Sequence, residues 1–233
     1  QNIALETDRA EVEKIVRETI DAYFGGYPKA PEPKRPVVGE LPPLPGEVRE
    51  NINDPKAQLP ALFMSYRGPK MTDDDSYVLD VLSTIMSNGE SSRLYTSLVD
   101  SQQVAVQAQF SIFPREYVGM LFFVGIAAPG KGLEDVEKAI DAEIARIVRD
   151  GVTDAELTKA KNITESNLID GQSGVYQKAL NLSNAYRFDG STEAINNELA
   201  KYAKVTKADI QRVAKKYLDT KQRIVLTYLP VKG

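Results

Sequence analysis

Apolar positions along the chain switch between helical and strand spacing, and the switches predict an ordered set of elements. In residues 6–31, "ETDRAEVEKIVRETIDAYFGGYPKAP", Val12, Ile15, Val16, Ile20 and Tyr23 fall on one helical face. Thr7 or Asp8 can cap that helix, and Gly25-Gly26 ends it. An apolar face of this kind must pack on something, so the chain is expected to begin inside a larger protein. "LPALFMSYRGP" (59–69) reads as a strand. "DDDSYVLDVLSTIMSNG" (73–89) reads as a helix capped by Asp73, with Tyr77, Val78, Leu82 and Ile85 inward and Gly89 as its stop. "QVAVQAQFSIF" (103–113) and "YVGMLFFVGIAAP" (117–129) are strands around Pro114-Arg115-Glu116, a connection short enough for an antiparallel hairpin.

The second half of the chain is mostly helix-period. "LEDVEKAIDAEIARIVRDG" (133–151) turns Val136, Ile140, Ile144, Ile147 and Val148 inward and stops at Gly151. Thr153 and Glu156 have the spacing of a capping box at the next helix start. That helix leads to "VYQKALNLSNAYRFDG", then "STEAINNELAKYAKV", then "TKADIQRVAKKYLDT" with Thr206 as cap, and last the strand "RIVLTYLP". Mixed strands and long helices with a hairpin predict an α+β fold, a mainly antiparallel sheet with helices packed on one face.

Between Pro28 and Pro45 stand Pro28, Pro31, Pro33, Pro36, Pro42, Pro43 and Pro45, which exclude helix and central strand and read as a stiff connector. A proline-rich ligand for a recognition module is the competing reading of the same stretch.

Composition narrows the chemistry. The 233 residues include no Cys, no His and no Trp, with 42% apolar and 27% charged residues and a net charge of −4. No Cys means no disulfide or thiolate nucleophile, and no His removes the commonest general base and metal ligand. A Ser-His-Asp triad and an H-E-x-x-H zinc site are both impossible in this chain. No basic stripe points to nucleic acid, and no apolar run is long enough to span a membrane.

Several motifs have plain structural readings. Asp73-Asp74-Asp75 point in different directions around a helix start, where negative charge is favourable, rather than converging on a metal. "GIAAPGKG" (125–132) lacks phosphate-loop spacing. The sequons at Asn162 and Asn181 fall in predicted helices. Glu156, Lys159 and Lys161, and likewise Glu137, Asp141 and Glu143, read as charge alternation on solvated helix faces.

Three segments carry a resemblance. "DRAEVEKIVRETIDAYFGGYPKAPEPKRP", with Phe24-Gly25 before the prolines, "DDDSYVLDVLSTIMSNGESSRLYTSLVDSQQVA", and "GVTDAELTKAKNITESNL" resemble the insulinase/pitrilysin superfamily of zinc peptidases, which includes mitochondrial processing peptidase. Members of that family consist of related halves joined by a linker, and the first half holds zinc through H-x-x-E-H and a distal glutamate. The resemblance implies that residues 1–27 close a preceding catalytic-type half, 28–58 form the proline-rich linker and 59–233 form the C-terminal domain. It implies a metal-free half that closes the peptide-binding chamber opposite the catalytic half. No cofactor is expected in this chain; zinc is expected in the upstream half or on a partner chain. The implied partners are that catalytic half, in the same polypeptide or as a partner subunit, and a peptide substrate. The chain alone is expected to be inactive. Family habit implies the expectation of an exported or periplasmic bacterial protein.

In many active members the second half supplies an arginine and, seven residues later, a tyrosine that hold substrate. The resemblance lays Val99 and Val106 on those two positions, and neither valine can donate a hydrogen bond. That suits the zinc-carrying polypeptide of a divided pair, and equally a half without activity. Arg93 and Tyr95 are the remaining candidates for substrate contact at the mouth of the cleft. Against that stands a structural reading, with Arg93 tying the turn to nearby carboxylates or carbonyls and Tyr95 packing on the helix. The alternative function is a non-enzymatic scaffold or inactive partner subunit of the same fold.

Overall fold

The computed structural model describes residues 9–231 apart from 29, 32, 33, 35, 36, 40, 172 and 173. It divides into one unit over residues 1–40 and another over residues 41–233.

The first unit holds α1 (Arg9–Phe24), which ends where the Gly25 amide bonds the Asp21 carbonyl. The proposed caps Thr7 and Asp8 lie outside the described residues. Val12, Ile15, Val16, Ile20 and Tyr23 are between 49% and 75% exposed, so the predicted apolar face is open.

The second unit runs β1 (Val48–Asp54), β2 (Ala61–Gly68), α2 (Asp74–Ser87), a π-helical turn (Tyr95–Ser101), β3 (Ala105–Phe113), β4 (Gly119–Ala127), α3 (Leu133–Asp150), α4 (Asp154–Gly171), α5 (Val175–Asp189), α6 (Ala194–Lys204), α7 (Lys207–Tyr217) and β5 (Arg223–Pro230). The sheet order is β1-β5-β2-β4-β3. Only the β1–β5 pair is parallel, so the fold is α+β on a mainly antiparallel sheet.

Strand alternation gives the sheet two different faces. Leu62, Met64 and Tyr66 of β2 are buried, and the register sets Met64 opposite both Phe123 of β4 and Val225 of β5. Leu79, Leu82 and Met86 of α2, Val136 and Ile140 of α3, and Ile210 and Val213 of α7 join these side chains in one core. Gly125 lets α3 approach β4 closely: a Cβ there would overlap the Val136 side chain. On α7, Thr206 and Asp209 complete the capping box that Thr206 suggested.

Several sequence expectations need correction. β1 lies inside the 28–58 stretch expected to be linker. Its sequence VRENIND carries almost no apolar alternation, and pairing with β5 rather than local preference makes it a strand. Asp73 occupies the N-cap of α2 but makes no side-chain cap bond. Asp75, with Asp73 and Asp74 read only as helix-start charge, is buried and accepts from Arg212 (2.7 Å), Lys216 (2.8 Å) and the Tyr217 hydroxyl (2.8 Å), tying α2 to α7.

The charged faces of α3 and α4 are not simply solvated. Glu143 is 1% exposed. Glu137 and Asp141 accept from Arg223, itself 3% exposed, at 2.7 and 2.6 Å. Lys159 donates to Ser91, and Lys161 to the Ala203 carbonyl. Helical periodicity cannot reveal partners that lie tens of residues away.

Candidate functional site: the Ser87–Gln107 corner and the open sheet face

The corner begins where α2 stops. The Asn88 amide bonds the Thr84 carbonyl, and Gly89 takes a φ of 75°, which glycine adopts without penalty. Leu94 and Leu98 are both fully buried one helical turn apart and pin the segment to the core. From Tyr95 to Ser101 the chain widens into the π-helical turn, closed by the Gln102 amide on the Ser97 carbonyl. Gln103 then takes a φ of 53°, and the Val104 amide reaches back to the Leu98 carbonyl. A bulge between Ala105 and Gln107 disturbs the β3–β4 register and turns Val106 out, 47% exposed. A π turn, a left-handed residue and a bulge thus shape the stretch that carries Val99 and Val106. Val99 is half-buried on the turn.

Arg93 faces α4. Its Nε donates to Glu156 Oε1 at 2.6 Å, and its Nη2 to Glu156 Oε2 at 2.9 Å and to the Gly151 carbonyl at 3.1 Å. The Arg93 side chain is 14% exposed. Glu156 also accepts from the amide and hydroxyl of Thr153, so the expected capping box and the arginine share one carboxylate. The Arg93 bonds, helped by those from Thr153 and opposed by burial, hold the Glu156 carboxyl down at about 2. Arg93 Nη1, Ser92 Oγ and Glu143 Oε2 are buried with no partner among the described residues. Tyr95 opens the π turn, half-buried. The structure therefore brings Arg93 to Glu156 and Gly151. The signal in the sequence was half legible: the Thr153–Glu156 spacing was visible, and its partner 63 residues upstream was not.

Opposite the core, the sheet presents a second apolar surface. Phe63 stacks on Phe122 with centroids 5.7 Å apart and meets Tyr228 edge-on at 6.2 Å. Phe113 closes the row against Phe122 at 6.3 Å. Ile52, Phe113, Met120 and Ile224, on this same face by register, are 37% to 43% exposed. Serine and glutamine (Ser65, Gln109, Ser111) are interspersed. A face of this composition, wide, aromatic and uncharged at its centre, suits contact with another polypeptide. Sequence reading did not single it out, because a strand buried on one face and half-open on the other differs little in pattern from one buried on both.

Among the described residues no group of three acidic side chains converges to hold a metal. With no His or Cys in the chain, its residues do not fit a zinc site of the H-x-x-E-H kind. No helix among the described residues is long and apolar enough to cross a membrane.

The family model described as the peptidase M16 inactive domain matches residues 8–164. The zinc protease PqqE of Helicobacter pylori is 24% identical over 167 residues, covering 72% of this chain and 37% of that protein. The chain thus spans little over a third of that relative's length. Among solved structures, a protease from Helicobacter pylori superposes with a TM-score of 0.83 at 22% identity, over 93% of this chain and 52% of its own. A peptidase M16 inactive domain from Pseudomonas fluorescens gives 0.75 at 15% identity, over 97% and 52%. The periplasmic protease PqqL of Escherichia coli gives 0.70 at 14% identity, over 94% and 24%. At these identities the structural likenesses establish the fold.

Proposed function

Because the chain belongs to the peptidase M16 inactive-domain family, we propose that it works as the metal-free half of a zinc peptidase. Its role is to wall a peptide-binding chamber opposite an H-x-x-E-H catalytic half. The observation that carries this reading is the open aromatic sheet face of Phe63, Phe122, Phe113 and Tyr228. An extended peptide can lie against such a face with alternate side chains between the rings. The exposed apolar stripe of α1, Val12 to Tyr23, is the surface against which the preceding half packs.

The zinc of the catalytic half, when bound there, supplies an activated water. The present residues confine and orient. Val99 and Val106 offer no donors, so this half holds peptide by apolar contact rather than by backbone hydrogen bonds. Arg93 serves as the tie between the corner and α4, with Tyr95 beside it. The description of PqqL as periplasmic is consistent with placing this chain in an exported protein as well.

The test uses the purified chain alone and together with its catalytic half. Alone it retains no zinc after dialysis and cleaves no peptide. In the pair, Phe63→Ser with Phe122→Ser lowers the rate of peptide cleavage while the zinc content stays unchanged. Zinc retention or cleavage by the chain alone overturns the proposal. Cleavage by the pair that is indifferent to both substitutions removes the sheet face from the chamber wall, and no cleavage by the pair favours the non-enzymatic scaffold.

A further inference from the structure

Among the described residues, the buried and half-buried carboxylates on the helices of the second unit follow a rule with two exceptions. Asp75, Glu137, Asp141, Glu143, Glu156 and Asp209, all buried or half-buried, each lie within ion-pair distance of an arginine or lysine. Asp80 on α2 and Glu198 on α6 are half-buried too, and no such cation stands within that distance among the described residues. Both line one cleft of about 490 Å³ formed by α2, α4, α5 and α6 with the end of β3. That volume lies in the range of small-molecule pockets.

The surroundings define what the cleft accepts. Asp80 receives one hydrogen bond, from the Tyr202 hydroxyl at 2.9 Å. Tyr202 meets Tyr77 edge-on at 5.1 Å, and the Lys201 ammonium rests 4.7 Å from the Tyr77 ring centroid. An ammonium over an aromatic ring is thus already one of the contacts in this cleft. Lys201 donates to the Tyr77 hydroxyl at 3.3 Å and forms no ion pair with Asp80 or Glu198. Asp189 adds a third acid, so the lining is net negative even with Lys201. Burial raises the carboxyls of both Asp80 and Glu198 above their ordinary values, with Tyr202 and Lys201 respectively working the other way. Ile112, Leu168 and Phe188 supply apolar wall, and the exposed amides of Gln177 and Asn184 lie at the rim.

We propose that this cleft binds an alkylammonium or guanidinium group on an apolar stem. The cation would sit between Asp80 and Glu198, and the stem along Phe188 and Leu168. An anion is excluded by the lining charge, and a neutral ligand would leave the two carboxylates uncompensated. The same chemistry arrives either as a free diamine or as a basic side chain of a peptide.

Isothermal titration of the full chain at pH 7.5 with 1,5-diaminopentane tests this. Saturable one-to-one binding is expected, with none for 1-pentanol. Asp80→Asn and Glu198→Gln should each weaken binding about tenfold or more, the usual loss for a charge-assisted contact. Asp100→Asn, which removes one negative charge outside the cleft, should leave binding unchanged. Acetyl-lysine methylamide binding more tightly than the diamine assigns the site to a peptide side chain, and the reverse order to a free amine. Circular dichroism identifies any variant that fails to fold, and the other then carries the test. The proposal is overturned by no saturable binding up to about 10 mM, a ceiling weaker than any specific site of this size. It is equally overturned by displacement with equimolar calcium, or by folded variants that bind as well as the parent. None of these readouts depends on peptide cleavage, so the outcome is separable from that of the chamber reading.

Discussion

Replacing Arg93 by alanine isolates the energetic role of the corner. In the intact protein Glu156 sits at about 2 against an ordinary 4.5, a difference worth roughly 3 kcal/mol if it all came from one partner. The Thr153 bonds, which survive the substitution, supply part of that, and the Glu156 side chain is 29% exposed. Allowing for both leaves about 2 kcal/mol for the arginine pair. For a domain of this size that is a fall of about 4–8 °C in Tm.

The pH dependence has a fixed direction. Glu156 has a lowered folded pKa, so its contribution is complete above about 4.5 and is lost as pH falls from there toward 2. Urea titrations of parent and Arg93→Ala at pH 7 and at pH 3 should therefore give a wide gap and then a narrower one. Glu156→Gln should cost a similar amount at pH 7, and the double variant should lose little more than either single one. A gap that does not change with pH, or losses that simply add, refutes the pairing.

Asp75 offers a parallel case on the other side of α2. Burial pushes its carboxyl up, but Lys216, Arg212 and Tyr217 outweigh that and hold it at about 2. Because Arg212 and Lys216 are half-exposed, Asp75→Asn should cost only about 1–2 kcal/mol at pH 7 by urea unfolding, with the penalty fading from pH 4 toward 2. Arg223→Met should be the most damaging single change, since it strands Asp141 and leaves Glu137 and Glu47 to Arg49 alone around a nearly buried position; a loss of about 3–5 kcal/mol is expected in the same assay. Gly125→Ala should cost about 1–3 kcal/mol by forcing α3 away from β4, read as a lowered Tm. Val106→Tyr, at an exposed bulge, should change stability by less than about 0.5 kcal/mol in thermal melts.

Elements with their own local signal were legible in the sequence. The spacing of Val136, Ile140, Ile144 and Ile147 located α3, and Gly151 its end. The Thr206 cap and the β3–β4 hairpin likewise follow from nearest neighbours in the chain. β1 was missed because its residues have no reason to be extended except the hydrogen bonds that β5 offers. The acids of α3 and α4 were misread as solvated because their partners, Arg223 and Arg93, are remote in sequence. The cleft is the extreme example. Asp80, Tyr202 and Glu198 look like ordinary helix-surface residues until α2 and α6 are placed side by side, and an unpaired carboxylate is a property of that placement.

The position of β5 sets the order in which this protein can be built. The last strand of the unit lies between β1 and β2, joined to both by its backbone. Until residues 223–230 have left the ribosome, β1 has no partner and β2 keeps a bare edge. The hairpin of β3 and β4 can form early, together with the helices that follow it, but the sheet closes only after synthesis reaches its final strand. During that interval the half-made sheet exposes Phe63, Phe122 and a free row of amides, the template on which β-strands of neighbouring chains pair. Long-range closure of this kind is also slow. Loss of β5 by premature termination or proteolysis would therefore leave an aggregation-prone fragment rather than a slightly smaller domain.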